Sequence, residues 1–300
     1  MYKYYTLFSS AAICMTGDER LLFSIFFLFF GWRILNKMGE HFHNSLRAAL
    51  RPSTMDRAIV VPRVSVIVPT VNEAKNLPHV LPRIPAWIDE VILVDGNSTD
   101  GTVAVARELM PDIVVIEQPR LGKGVALAAG FAAARGDILI TLDADGSADP
   151  EEMTGFVGAL LAGADFVKGS RFLQGGDTRD MEWYRRLGNW GLLQLVRLRF
   201  GGRYSDLCYG YNAFWRDVLP HLRVESATGF EIETQMNIRA LQAGLAIAEL
   251  PSREYARIHG VSNLRTIPDG WRVLKTIARL GLSQHSRAGA LARNRTQRAG

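Results

Sequence analysis

The chain has 300 residues, 48% of them hydrophobic, and a formal net charge of +5. That length and apolar content fit one large domain, with or without appendages. Two cysteines, Cys14 and Cys208, lie far apart without metal-ligand spacing, which argues against a disulfide scaffold or a zinc site and for a reducing compartment.

The charge is unevenly placed. Pro251 to Gly300 carries ten Lys/Arg against two Asp/Glu, so the rest of the chain is mildly acidic. A basic C-terminal end suits an anionic surface or ligand, or is a solvated tail; residues 285–300 are expected as such a tail, without fixed structure. At the other end, Leu21–Trp32 reads "LLFSIFFLFFGW", apolar for twelve residues. A spanning helix needs roughly 20. Three readings stay open for residues 1–54: an interfacial anchor, a loosely packed extension, or a start codon assigned too far upstream, since Met55 precedes the first clear strand.

From Arg63 the pattern changes. "VSVIVPT", "VILVDG", "IVVIEQP" and "DILITLDAD" are β-branched apolar runs, separated by helical patterns such as "TVAVARELM" and "GVALAAGFAAA". Strands alternating with helices predict an α/β domain over residues 55–284, with a mostly parallel sheet covered on both faces. Ligands of such sheets bind at the carboxyl ends of the strands. Those ends are polar here: "PTVNE", "DGNSTDGT", "QPRLGKG" and "DADGSADP". Further on, "PEEMTGFVGALLAGA" predicts a helix, "DFVKGS" a short strand, and "MEWYRRLGNWGLLQLVRLRF" a helix rich in Trp, Leu and Arg. Another helix is expected from Phe230 to Ala243, an edge strand at "AIAELP", and a last helix over about Ile267 to Leu280.

The stretch "TLDADGSADPEE" packs five carboxylates behind a buried strand. Three of them form a helix start: Asp149 is expected to accept the N–H of Glu152, Pro150 suits the first helical position, and Glu152 can close a capping box. Asp143 and Asp145 have no such account. Spaced i and i+2 at a strand end, they can converge, and converging carboxylates require a cation to relieve their repulsion. A hard divalent ion with oxygen ligands does this, and Mg²⁺ is usually shared with substrate phosphates. An EF-hand is excluded, because Ala148 and Thr154 stand where Gly and Glu are required.

Asp95 offers an acceptor to a nucleobase or ribose, while Asp100 suits the cap of a helix starting near Thr102. "PRLGKG" brings Arg120, Lys123 and two glycines to the same cleft, where backbone and ammonium can approach a phosphate. It is neither a Walker loop nor a dinucleotide fingerprint, since the spacings are wrong. Lys168, Arg171, Arg185, Arg186, Arg257 and Arg265 could together cradle a second anionic group.

The ordered strings "SVIVPTVNEAKNL", "ILVDGNSTDGT", "RLGKGVALAAGF", "LDADGSADPEE", "KGSRF" and "RIHGVSNL" resemble a glycosyltransferase of family 2 with a GT-A fold. Within it, they are most similar to the polyprenyl-phosphate glycosyltransferases. The resemblance implies one Rossmann-like catalytic domain in which Pro69, Asn72, Glu73 and Asp95 hold the nucleoside and Lys123 and Asp143 lie near the nucleotide. It implies Asp145 as the main metal ligand with Asp143 assisting, the cation being Mg²⁺ or Mn²⁺. Arg171, Arg185, Arg186 and Arg257 resemble the family's phosphate-binding arginines, Arg171 among the catalytic set. The chain departs at Gly96, where the relatives carry a second acid, and at Ser147, where they carry Gln. "SDLCYGYNAFW" also departs, and reads either as a wall of the sugar or acceptor pocket or as a packed aromatic turn with Cys208 buried.

The expected reaction is inverting transfer of one sugar from a nucleotide-diphosphate donor. Polyprenyl phosphate is the favoured acceptor, because a phosphate monoester with a second pKa of about 6 is already anionic and needs arginines rather than a general base. A hydroxyl acceptor would need a base, for which Glu231 and Glu233 are candidates, though both suit a helix start. The aromatic, arginine-rich Trp183–Phe200 segment suits a bilayer surface, so the expected place is the cytoplasmic face of the membrane, in peripheral contact, with no nucleic-acid partner. A non-catalytic nucleotide-sugar binder and a nucleotidyltransferase remain as alternatives; Asp143, Asp145 and Lys123 speak against the first, and the absence of a Gly-rich loop in "PTVNEAKN" against the second.

Overall fold

The computed structural model describes residues 61–119, 122–179 and 181–297. The extension 1–54 with its apolar run, Met55 and Arg120 lie outside the described residues. A seven-stranded sheet organises the rest: β1 Val64–Thr70, β2 Glu90–Asp95, β3 Val114–Glu117, β4 Ile138–Thr141, β5 Phe166–Ser170, then β7 Asn212–Trp215 and β8 Ile247–Pro251. Two short strands, β6 Asp177–Thr178 and β9 Arg253–Glu254, pair in parallel beside it. The sheet order is β3-β2-β1-β4-β7-β5-β8. Strands β1 to β4 run parallel, as does β8 with β5. β7 is antiparallel to both neighbours, Thr141 pairing with Asn212 on one side and Lys168 with Asn212 on the other. This strand was not expected: its four residues "NAFW" sit inside the aromatic string and give no period-2 signal of their own.

The helices are α1 Leu77–Val80, α2 Thr102–Leu109, α3 Lys123–Ala133, α4 Met153–Leu161, α5 Trp183–Phe200, α6 Leu219–Leu222, α7 Glu231–Ala243 and α8 Thr266–Gln297. They cover both sheet faces, which explains why the strands read as continuous apolar runs. Val64, Val66 and Val68 of β1 belong to the core on one sheet face, together with Phe156 and Leu160 of α4, while Ile67 belongs to the core on the other face with Leu127 and Phe131 of α3 and Ile232 of α7. A third cluster, Leu193 and Val196 with Ile238, Val273 and Ile277, fastens α5 and α8 to α7.

Local signals hold in part. Asp100 accepts the Thr102 N–H at 3.1 Å and the Ala74 N–H at 3.0 Å, as expected of a cap. Asp149 also caps, but it accepts from Glu151 rather than Glu152, because the first turn, Pro150–Glu152, is a tighter 3₁₀ turn. No capping box forms: the Glu152 carboxylate instead accepts from the Ser252 hydroxyl and the Arg253 N–H, a hundred residues away. On α4, Met153, Phe156 and Leu160 are buried, while Leu161 stays exposed. α8 runs past its expected end near Leu280 and through the expected tail to Gln297, a stretch whose Ala, Leu, Arg and Gln favour helix.

Candidate active site

A cavity of about 360 Å³ opens where the strands end. Pro69 and Thr70 close β1, Gly96 and Gln118 follow β2 and β3, Asp143 and Asp145 follow β4, and Arg171 follows β5; all line it. Parallel strands bring their carboxyl ends to one side of the sheet, so the convergence read from the polar strand ends follows from the topology.

Asp143 and Asp145 meet different cations. The Lys123 ammonium, on the first residue of α3, lies 2.7 Å from Asp143 Oδ1 and 2.8 Å from Glu233 Oε1. Burial opposes the charge on Lys123, but the two carboxylates outweigh it and hold its pKa above the ordinary lysine value. Asp145 Oδ2 accepts from Arg257 Nη2 at 2.7 Å, while its Oδ1 accepts from the N–H and hydroxyl of Ser147. Ser147 and Arg257 thus orient Asp145 between them. Arg257 also donates to Glu73 at 3.1 Å. Burial raises the Glu73 pKa, against the lowering effect of Asn76 and Arg257.

Ionised, these four carboxylates face two cations, which leaves two negative charges uncompensated at the mouth of β4. That charge and the all-oxygen donor set fit a hard divalent ion. Among the described residues no group of three or more His, Cys, Asp or Glu is arranged to hold a metal by itself.

The remaining expected site residues separate. Arg171 is deeply buried, with Nε 2.7 Å from Asp206 Oδ2 and Nη1 2.9 Å from Glu254 Oε1, and its guanidinium lies over the Tyr209 ring at 4.8 Å. It touches the cavity, but its donors are committed to carboxylates, so it braces the wall instead of offering a free phosphate contact. Arg186 donates to the Thr178 carbonyl and does not line the cavity. Arg185, one residue earlier on α5, does line it. Asn72, in the left-handed region at φ 56°, accepts from the Thr99 N–H and ties the β1 loop to the β2 loop. Asp95 is buried, and both its oxygens accept from Ser98. Asn72 and Asp95 thus shape the cavity rim without lining it.

The sequence offers Glu233 as a base for a hydroxyl acceptor or as a helix-start acid, and gives no role to Asp206 or Glu254. Their partners lie 35 to 110 residues away, and no local pattern announces them. "SDLCYGYNAFW" is a packed aromatic turn in part, with Tyr211 stacked on Phe156 at 4.6 Å in the core, while half-buried Cys208, with Tyr209 and Gly210, lines the cavity. Burial, then Asp206, pushes the Cys208 thiol up to about 11, so it is inert at neutral pH.

Comparison with known proteins places this geometry. The family described as Glycosyl transferase family 2 matches residues 65–223. The chain is 35% identical over 223 residues to the polyprenol monophosphomannose synthase of Mycolicibacterium smegmatis, covering 70% of this chain and 84% of that one. It is 32% identical over 215 residues to the undecaprenyl-phosphate mannosyltransferase of Micrococcus luteus, covering 67% and 87%. Among solved structures, it is similar to the glucosyl-3-phosphoglycerate synthase of Mycobacterium tuberculosis in complex with Mn²⁺, uridine diphosphate and phosphoglyceric acid, at 25% identity and TM-score 0.58, over 73% and 78% of the two chains. With a GT-A sheet, a cleft at its carboxyl edge and these relatives, the chain belongs to glycosyl transferase family 2 and is a glycosyltransferase.

Proposed function

We propose that the enzyme transfers one hexose, with inversion, from a nucleotide-diphosphate donor to a polyprenyl phosphate at a membrane surface. One observation carries the acceptor. Of the four described Lys/Arg side chains lining the cavity, Lys123, Arg171 and Arg257 are each held by two carboxylates. Arg185 has no carboxylate partner among the described residues. An arginine left unneutralised beside a substrate cavity fits an anionic substrate group.

The helix that carries Arg185 supports a lipid as the rest of that substrate. Trp183 is 75% exposed and Leu198 88%, with Leu187 and Trp190 also outward. Ile267 and Trp271 add exposed apolar surface at the start of α8. Tryptophan and leucine interleaved with arginine suit the headgroup region, and the basic C-terminal end suits the anionic cytoplasmic leaflet. No helix among the described residues is long and apolar enough to cross a membrane. The named activities of the two mannosyltransferases point to the same acceptor class.

In this reading Arg185 orients the acceptor phosphate, which attacks the anomeric carbon without needing a base. Asp143 and Asp145 are the residues that would hold Mg²⁺ or Mn²⁺, which would supply charge neutralisation for the departing diphosphate. Pro69, Thr70 and Glu73 bound the donor side, where Lys123 and Arg257 are committed to the surrounding carboxylates. The hydroxyl-acceptor alternative loses its bases: Glu231 Oε1 accepts from the N–H groups of Thr228 and Gly229, and Glu233 is bound to Lys123. Labelled nucleotide sugars offered with polyprenyl phosphate, and separately with soluble hydroxyl acceptors, test the proposal. Label extracted with the lipid is expected; label on the soluble acceptor alone refutes it.

A further inference from the structure

Glu231 and Glu233 lie two residues apart in the first turn of α7, so they point to different sides of the helix and behave differently. Glu231 stays at the helix start, where burial raises its pKa but backbone N–H donors bring it below the ordinary value. Glu233 turns inward, is 3% exposed and meets Lys123. Lys123 thus stands between Glu233 and Asp143, with the Phe230 ring 5.7 Å from its ammonium.

The backbone fixes this arrangement. At Gly122, with φ +104°, an added Cβ would fall 2.3 Å from the Thr228 carbonyl oxygen, and the Gly124 N–H donates to that oxygen at 3.1 Å. The starts of α3 and α7 are therefore pressed together, which sets the register of Lys123 against Glu233. Below them is Gly210, where an added Cβ would lie 2.7 Å from Lys123 Nζ, 3.1 Å from Asp143 Oδ2 and 3.3 Å from Glu233 Oε1. The three charged groups converge over a residue with no side chain.

We propose that Glu233 is a positioning residue: by sharing the Lys123 ammonium, it keeps Asp143 available to a divalent cation. This deepens the preceding reading and rests on Asp143 and Asp145 as the cation's carboxylates. With Glu233 neutral, the ammonium has Asp143 as its only carboxylate partner, and an incoming cation competes with a fixed positive charge at full strength. Glu233 divides that charge between two acceptors and adds a negative charge beside the ion.

The test is Mn²⁺ binding by the full chain, followed by electron paramagnetic resonance with the metal alone, so it needs neither donor nor acceptor. Glu233→Gln keeps the volume and an acceptor oxygen but removes the charge. It is expected to weaken Mn²⁺ binding roughly tenfold, within the coupling range of residues in one ion-pair network. Removing the competitor as well, in the double variant Lys123→Met/Glu233→Gln, is expected to restore binding to within about threefold of the parent. Glu233→Gln binding Mn²⁺ as the parent does overturns the inference. So does a double variant as weak as Glu233→Gln, which would place the effect in the fold and not in Lys123. If Glu233→Gln does not fold, Lys123→Met alone decides: tighter Mn²⁺ binding supports the inference, and unchanged or weaker binding contradicts it. A parent protein that binds no Mn²⁺ removes the cation reading of Asp143 and Asp145, and this inference with it.

Discussion

Arg185→Ala separates acceptor recognition from everything else the cavity does. Arg185 is half-buried on α5, lines the cavity and makes no ion pair among the described residues, so its removal leaves no buried carboxylate stranded. A hydrogen bond to a charged group is worth about 1.5–3 kcal/mol, and a partly solvated site belongs toward the lower end. That corresponds to roughly a 10- to 100-fold loss in kcat/KM for the acceptor. The melting temperature should stay within about 2 °C of the parent, because surface-accessible substitutions away from pairs cost about 0.5 kcal/mol or less. The assay is steady-state transfer with donor and acceptor varied in turn. The predicted split is a raised acceptor KM with the donor KM unchanged, partly recovered by Arg185→Lys, which restores charge without the fork. Equal losses on both substrates, or no loss for the acceptor, refute the assignment of Arg185 to the acceptor phosphate.

Other consequences follow from the same geometry. Asp145→Asn places an amide donor against Arg257 Nη2, now 2.7 Å from Oδ2, and removes one of the two carboxylates offered to the ion; turnover should fall about 10²- to 10³-fold, and full activity would contradict the metal assignment. Arg171→Met strands the buried carboxylate of Asp206, at a cost of about 3–5 kcal/mol, so thermal unfolding should drop by roughly 10 °C; an unchanged melting temperature would show that Arg171 does not brace the wall. Flotation with vesicles should show binding to anionic but not neutral lipid, lost when Trp183 and Leu187 are both replaced by Ser; binding that survives the double replacement would move the membrane contact off α5.

The sequence carried the sheet because its strands are short β-branched runs with polar ends, and parallel topology alone then gathers those ends into one cleft. It also divided "TLDADGSADPEE" correctly in outline: Asp149 caps a helix, while Asp143 and Asp145 face the cavity. What stayed hidden was the partnering of each charge. Glu152 has the spacing of a capping box, yet Ser252 and Arg253 win it, because the 3₁₀ turn points its carboxylate toward the β8–β9 connection. The resemblance implies Arg171 as a phosphate ligand, and Asp206 and Glu254 hold its guanidinium. β7 was missed because a four-residue strand buried on both faces has no alternation to read. In each case the deciding partner lies far along the chain, where local pattern carries no information.

The central claim is that an anionic lipid phosphate accepts the sugar. The most direct measurement is incubation of the purified full chain with Mn²⁺ or Mg²⁺, a panel of radiolabelled nucleotide sugars and polyprenyl phosphate, followed by organic extraction. The account predicts label in the organic phase that depends on both the lipid phosphate and the cation, and that is lost when the unphosphorylated polyprenol replaces the phosphate. Equal transfer to the free polyprenol, or label found only on soluble hydroxyl acceptors, would contradict it.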